Sequence, residues 1–159
     1  MEKNDNGAVN DDNEAANNEV AKIYKRKQIE SASPGQLIVM LYEAALDRLN
    51  KAEKIMKERK DPSRIEEFHN NIVTCQNIIT ELTVALDMEK GGEIASNLFR
   101  LYDFCNWRLV DVNVKKDLKG ISEVREVLTT LKSGWDEIKD TSIPENEVRK
   151  TNRGLNLKG

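Results

Sequence analysis

The residues able to do chemistry in this chain are few. One histidine, His69, follows Glu66 by three positions, and an E-x-x-H on a bundle helix is half of a di-iron site. Such a centre needs the motif on two helices, and no second histidine exists to supply it. A lone histidine on a four-helix bundle can also carry a phosphoryl group. The residues after it, NNIVT, lack the lysine and small side chains expected beside a phosphorylated ring, so His69 reads as an exposed helix-surface residue. Cys75 and Cys105 lie far apart without metal-ligand spacing. Each falls on an apolar helical stripe, which makes both small core residues of a reduced protein. Gly91-Gly92 is followed by an acidic residue that would repel phosphate. Carboxylates are plentiful but interleaved with Lys and Arg, as in EKIMKERK, the pattern of a solvated face. The expectation is no enzyme, with no catalytic residue, no metal, no cofactor and no small-molecule substrate.

The bulk numbers narrow the classes further. The chain has 159 residues and a formal net charge of −3. A compact domain of that size buries roughly 70% of its unfolded surface, enough for a core without staples. Basic residues form only short clusters such as Lys25-Arg26-Lys27 and Lys115-Lys116. Nucleic acid needs a concentrated positive face, so that partner class is disfavoured. No segment approaches the roughly 18 consecutive apolar residues of a membrane span. The acidic, Asn-rich N-terminus is unlike a signal peptide, and a cytoplasmic protein is expected.

Four segments carry a helical period. The first runs Ile38, Tyr42, Ala45, Leu49, Ala52, Met56, opened by Ser33-Pro34 with Gln36 completing a capping box. Asp61-Pro62-Ser63 breaks it, and Ser63 with Glu66 offers the next box. The second runs Ile65, Phe68, Ile72, Cys75, Ile79, Leu82, Leu86, with Gly91-Gly92 as its expected stop. The third runs Ile94, Leu98, Leu101, Cys105, Leu109, Val112. After the polar link KKDLKG, with Ser122 as expected cap, the fourth runs Ile121, Val124, Leu128, Leu131, Trp135, Ile138. No strand alternation competes. The expected fold is all-α, an antiparallel up-down bundle of four main helices over residues 33–140, with a short N-terminal segment packing over one end. Residues 1–19 are expected to be a disordered acidic leader, 20–32 a capping or lid segment, and 141–159 a flexible tail.

The first three core stripes leave apolar residues unexplained, whereas the fourth leaves almost nothing except Val127. In SPGQLIVMLYEAAL, six apolar residues stand in a row, and one side of a bundle helix accounts for only part of them. The first helix leaves Leu37, Val39, Met40 and Leu46. The second leaves Ile78, Val84, Ala85 and Met88, with Val73 further back, and the third leaves Phe99, Phe104, Trp107 and Val110, with Tyr102 at the stripe's edge. In an antiparallel bundle most of these gather at one end, and an apolar patch of that kind usually marks an interaction surface. Ile23, Tyr24 and Ile29 could fold back over it, a second copy could cover it, or a partner helix could lie in it as in a groove.

Two stretches resemble one family. SASPGQLIVMLYEAAL and, from Leu86 to Leu109, LDMEKGGEIASNLFRLYDFCNWRL are similar to the signature segments of the flagellin export chaperones, the FliS family. IYKRKQ, Ile23 to Gln28, resembles the Tyr-containing segment before that family's first helix. Gly35 stands where an acidic residue is common, Phe104 where Tyr is usual, and Trp107 where the first of two arginines is found, leaving Arg108 alone of the pair. The resemblance implies a small helical bundle in the bacterial cytosol that binds the C-terminal segment of flagellin, blocks its premature polymerisation and presents it to a flagellar type III export gate component at the membrane. The groove would then use Leu37, Met40, Leu41, Tyr42, Leu98, Phe99, Tyr102 and Trp107, with Tyr24 and Ile29 in the lid or along its edge. Leu41, Tyr42 and Leu98 are equally compatible with plain core. The alternative is a homo-oligomeric or adaptor bundle that binds another amphipathic helix.

Overall fold

The computed structural model describes residues 6–58 and 62–140, and no strand occurs among them. Five helices carry the chain: α1 (Asn6–Ser31), α2 (Pro34–Glu58), α3 (Arg64–Val84), α4 (Met88–Lys115) and α5 (Leu118–Ile138). The tail expected to be mobile, 141–159, lies outside the described residues, as do residues 1–5 and Asp61 of the expected break. The chain divides into two units, Met1–Ser33 and Pro34–Gly159.

The first unit is α1. Leader and capping segment are one helix here, so the boundary expected at residue 19 falls inside an element. Every described side chain from Asp12 to Ser31 is exposed. Val20, Ile23 and Tyr24 share one helical face, whereas Ile29 points about 140° from Tyr24 at 100° per residue. A lone helix of this kind is held by its own hydrogen bonds and by local pairs such as Lys22–Glu19, 3.5 Å.

The second unit holds the core. α2 packs on α3 and α5, and α4 packs on α3 and α5. The fully buried side chains include Tyr42, Leu49, Phe68, Ile72, Cys75, Ile79, Cys105, Leu109, Ile121, Val124 and Leu128, most of the expected stripe. Its ends differ. Ile65, Ile94 and Leu101 are exposed, and Ile55 is buried more deeply than Met56. On α4 the buried positions are Ala95, Tyr102, Cys105, Leu109 and Val112, with Leu98 partly buried against them. This three-four pattern turns Tyr102 inward in place of Leu101, because the hydroxyl finds a buried partner there. Burial pushes the Cys75 and Cys105 thiols up to about 12, and both are free.

Three expected helix ends are corrected. Ser63 makes no side-chain cap hydrogen bond and is itself in the α region. α3 ends at Val84, and Asp87 caps α4 by accepting from the N–H groups of Glu89 and Lys90 at 3.1 and 3.0 Å. Gly91-Gly92 therefore lies within the first turns of α4, where Gly92, at φ +51° and ψ −127°, breaks the helical path. At the last connection Asp117 replaces Ser122 as cap, accepting from Lys119 N–H at 3.0 Å. An aspartate carboxylate at the true Ncap accepts from an orphan amide donor and faces the positive helix end, so it wins over a serine further on.

Candidate functional site

The described residues enclose an apolar cleft of about 370 Å³. The start of α2 contributes Pro34, Gly35 and Ile38, and the end of α3 contributes Leu82, Ala85 and Leu86. Ile94, Leu98 and Tyr102 come from α4, Trp135 and Ile138 from α5, and Asp87 with Lys90 form a polar edge. The four stripes run out here without a covering layer. Ile94 is 73% exposed, and Ile138 and Met88 are about half exposed. Burying one such side chain is worth roughly 1.5–3 kcal/mol, so the surface has a strong tendency to take up an apolar partner.

Helix ends close the cleft through backbone proximity. A Cβ on Gly35 would stand 2.9 Å from the Lys139 carbonyl oxygen, so an acidic side chain at this position would collide with α5. Beneath the cleft lies a small polar hub. The Tyr42 and Tyr102 hydroxyls are hydrogen-bonded to each other, their rings tilted at 47° with centroids 6.4 Å apart. Burial, reinforced by the facing Tyr102, pushes the Tyr42 hydroxyl far above the ordinary tyrosine range. Burial raises Tyr102 as well, so both hydroxyls keep their protons.

The ten residues expected to form the partner site separate into five places. Leu98 and Tyr102 line the cleft. Tyr42 is fully buried behind it and does not line it. Leu37 and Leu41 are partly buried against the core. They share a helical edge with Arg48, which donates to Asn71 of α3 at 3.3 Å; Met40 is half-buried beside them. Phe99 and Trp107, 45% and 68% exposed, stand on an outer face of α4 with Val110 and Val114. Tyr24 and Ile29 are exposed on α1, a separate unit.

The residues missed are Ile38, Leu82, Leu86, Ile94, Trp135 and Ile138, all of which had been assigned wholly to the core. The available signal was position along the stripe. The last members of four stripes meet at one end, where no further turn of helix remains to cover them. His69 is exposed, with its Nδ1 2.7 Å from Asn113 Nδ2, and among the described residues no group of three or more His, Cys, Asp or Glu is placed to hold a metal ion. None of the described helices is long and apolar enough to cross a membrane.

The described residues form helices without strands, and an apolar cleft opens where four of those helices end. The family model described as flagellar protein FliS matches residues 16–142, the whole cleft included, and the chain belongs to that family. It is 39% identical over 111 residues to the flagellar secretion chaperone FliSB of Pseudomonas aeruginosa, covering 70% of this chain and 85% of that one. It is 36% identical over 119 residues to the flagellar secretion chaperone FliS of Salmonella typhimurium, covering 74% and 85%. With FliS of Vibrio cholerae the identity is 33% over 117 residues, covering 74% and 83%.

Proposed function

We propose that this chain is a non-enzymatic, cytosolic export chaperone that binds the apolar C-terminal segment of flagellin, prevents its premature polymerisation and delivers it to a component of the flagellar export gate. The observation that carries this reading is the open apolar cleft where the four helices of the second unit end, in a chain of the FliS family. A segment that forms helical contacts in a filament presents an apolar face, and a cleft with a polar edge is suited to cover it.

The scaffold of this proposal is an antiparallel up-down arrangement of α2 to α5. Gln36 near the start of α2 donates to Asp140 beyond the end of α5 at 3.3 Å, while Arg125 near the start of α5 donates to Asn50 late in α2 at 3.1 Å. Similarly, Asn113 meets His69, and Asn106 donates to Thr80 at 3.3 Å, along α4 and α3. These pairings support opposite chain directions in both seams. Leu37, Met40 and Leu41 along the α2 edge, and Phe99 and Trp107 on α4, extend the binding surface beyond the cleft.

Isothermal titration of the full chain with a peptide comprising the C-terminal segment of the flagellin from the same cell tests the reading. One-to-one binding with a negative heat-capacity change is expected, because apolar surface is buried and the peptide is ordered. No heat at several temperatures from a folded monomer would overturn it. A stable dimer without binding would favour the homo-oligomeric alternative.

A further inference from the structure

The wall that α4 gives to the cleft begins with a turn set apart from the rest of the helix. Asp87, the cap, is extended at φ −94° and ψ 99°, and Gly92 breaks the path again at φ +51° and ψ −127°. Met88–Gly91 is thus one turn between two non-helical residues. It is held from within: Asp87 accepts from the Glu89 and Lys90 N–H groups, and the Gly91 N–H donates to the Asp87 carbonyl at 2.8 Å. Every residue from Met88 to Ile94 is exposed, yet Lys90, Gly91 and Ile94 line the cleft. The break folds this turn down on its neighbour. A Cβ on Gly91 would stand 2.6 Å from the Ala95 methyl carbon, whereas Cβ atoms four residues apart on an unbroken helix keep about 5–6 Å between them. Ala95 also lines the cleft and is left only 3% exposed. The two glycines have different parts. Gly91 permits the close approach, and Gly92 supplies angles that residues with a side chain scarcely adopt. A Cβ on Gly92 would meet nothing within 4 Å, so the space around this joint is open.

We infer that Met88–Gly91 is a hinged strap that rests on Ala95 in the free protein and swings out about Gly92 when the partner segment enters the cleft. This rests on the chaperone reading above and deepens it, as the regulation of the same site. Glycine takes helical angles as well as the angles seen here at little steric cost. With helical angles at Gly92, α4 runs straight from Met88, Gly91 lifts from Ala95, and the cleft gains apolar floor. Uncovering that floor to water is unfavourable, so the free chain keeps the strap down. The apolar face of a bound segment covers the floor and holds the strap out. Opening therefore offsets part of the binding free energy, and a chain that could not close would bind more tightly.

Titration of the full-length protein with the flagellin C-terminal peptide, for wild type, Gly92→Ala and Gly91→Ala, tests this. Gly92→Ala excludes the closed strap through its backbone angles, and Gly91→Ala excludes it by collision with Ala95. Both leave the straight helix available. Each variant is expected to bind the peptide roughly 5- to 30-fold more tightly than wild type, because the open state no longer has to be populated at a cost. Two substitutions that act by different physics should thus shift affinity in the same direction. A glycine with a merely structural role would not raise affinity when replaced. Should one variant fold poorly, the other decides. Wild-type or weaker affinity in a folded variant, with wild-type binding intact, overturns the inference alone. Absence of wild-type binding overturns the chaperone reading and the inference with it.

Discussion

Arg108 and Tyr102 stand less than two turns apart on α4, yet they belong to ends of the second unit that are finished in opposite ways. Towards the α4–α5 connection, Arg108 closes the surface with charge. It pairs with Asp111 at 2.6 Å, Asp117 at 2.9 Å and Glu123 at 2.8 Å. Beneath it Gly120 is buried so closely that a Cβ would come within 2.3 Å of a Val112 methyl carbon and 2.9 Å of the guanidinium carbon. Towards the α3–α4 connection the stripes end in exposed apolar residues such as Ile94, beside an open cleft. The first end is satisfied by its own side chains. The second leaves apolar surface open, and that is the surface proposed above to take up a partner. A protein that must hold a partner without losing its own fold benefits from keeping these demands in separate places.

The largest test of this contrast is a pair of apolar truncations on α4. Leu109→Ala, at a fully buried position, is expected to cost about 2–5 kcal/mol in chemical denaturation. Ile94→Ala, at a position 73% exposed, should shift stability by no more than about 0.5 kcal/mol. It should weaken the flagellin peptide roughly tenfold, since an isoleucine buried by the partner is worth about 1.5–3 kcal/mol. Equal stability losses would mean that the cleft end is core and not a receptive surface.

A smaller effect separates the two ends by the glycines they use. Gly120→Ala meets side chains at once and is expected to cost about 1–3 kcal/mol by overpacking. Gly92→Ala meets nothing within 4 Å, but its φ of +51° disfavours any Cβ. Its cost, about 1–2 kcal/mol, comes from the backbone alone. Only the second change should alter peptide affinity, because only Gly92 sets the path of α4 beside the cleft. A change in affinity with Gly120→Ala would show that the two ends are mechanically coupled.

These differences mark how far the sequence could be read. The four helices of the second unit were legible because burying a stripe at three-four spacing needs only that spacing. Which of two overlapping stripes α4 would choose was not, since Leu98-Leu101-Cys105 and Leu98-Tyr102-Cys105 fit the period equally well. The choice was made across the chain, by the hydroxyl of Tyr42. The helix starts were misplaced for a related reason: Asp87 and Asp117 compete with Ser and Gly signals nearby, and a periodicity argument does not rank caps. The surplus apolar residues of α2, α3 and α4 were expected to gather at one end of the helices, yet of them only Ala85 and Tyr102 line the cleft. They did not reveal that residues such as Ile94, Leu86 and Ile138 would form the cleft there, because a stripe residue looks like core until the element that covers it is known to stop. On α1, Tyr24 and Ile29 face different ways because residues 20–32 belong to one long helix, in which a five-residue separation turns a side chain by about 140°.

The smallest effect concerns the charged end alone. Asp117 is held below the usual carboxylate range, first by its hydrogen bond from Arg108 and then by the Lys119 backbone N–H. A carboxyl group whose value is depressed by folding stabilises the protein above its unfolded value, about 3.9, and loses that contribution as pH falls through the lower folded value. The melting midpoint should therefore decline with acidification below about pH 4, and Arg108→Met should make that decline shallower while lowering the midpoint at neutral pH. Asp136, near the cleft, is depressed separately by Lys132 and then Lys139, so some acid sensitivity should survive in the variant. Peptide affinity at neutral pH should be unchanged by Arg108→Met, because none of its three carboxylate partners lines the cleft. An affinity loss comparable to that of Ile94→Ala would place the charged cluster within the binding machinery and end the division of labour between the two ends.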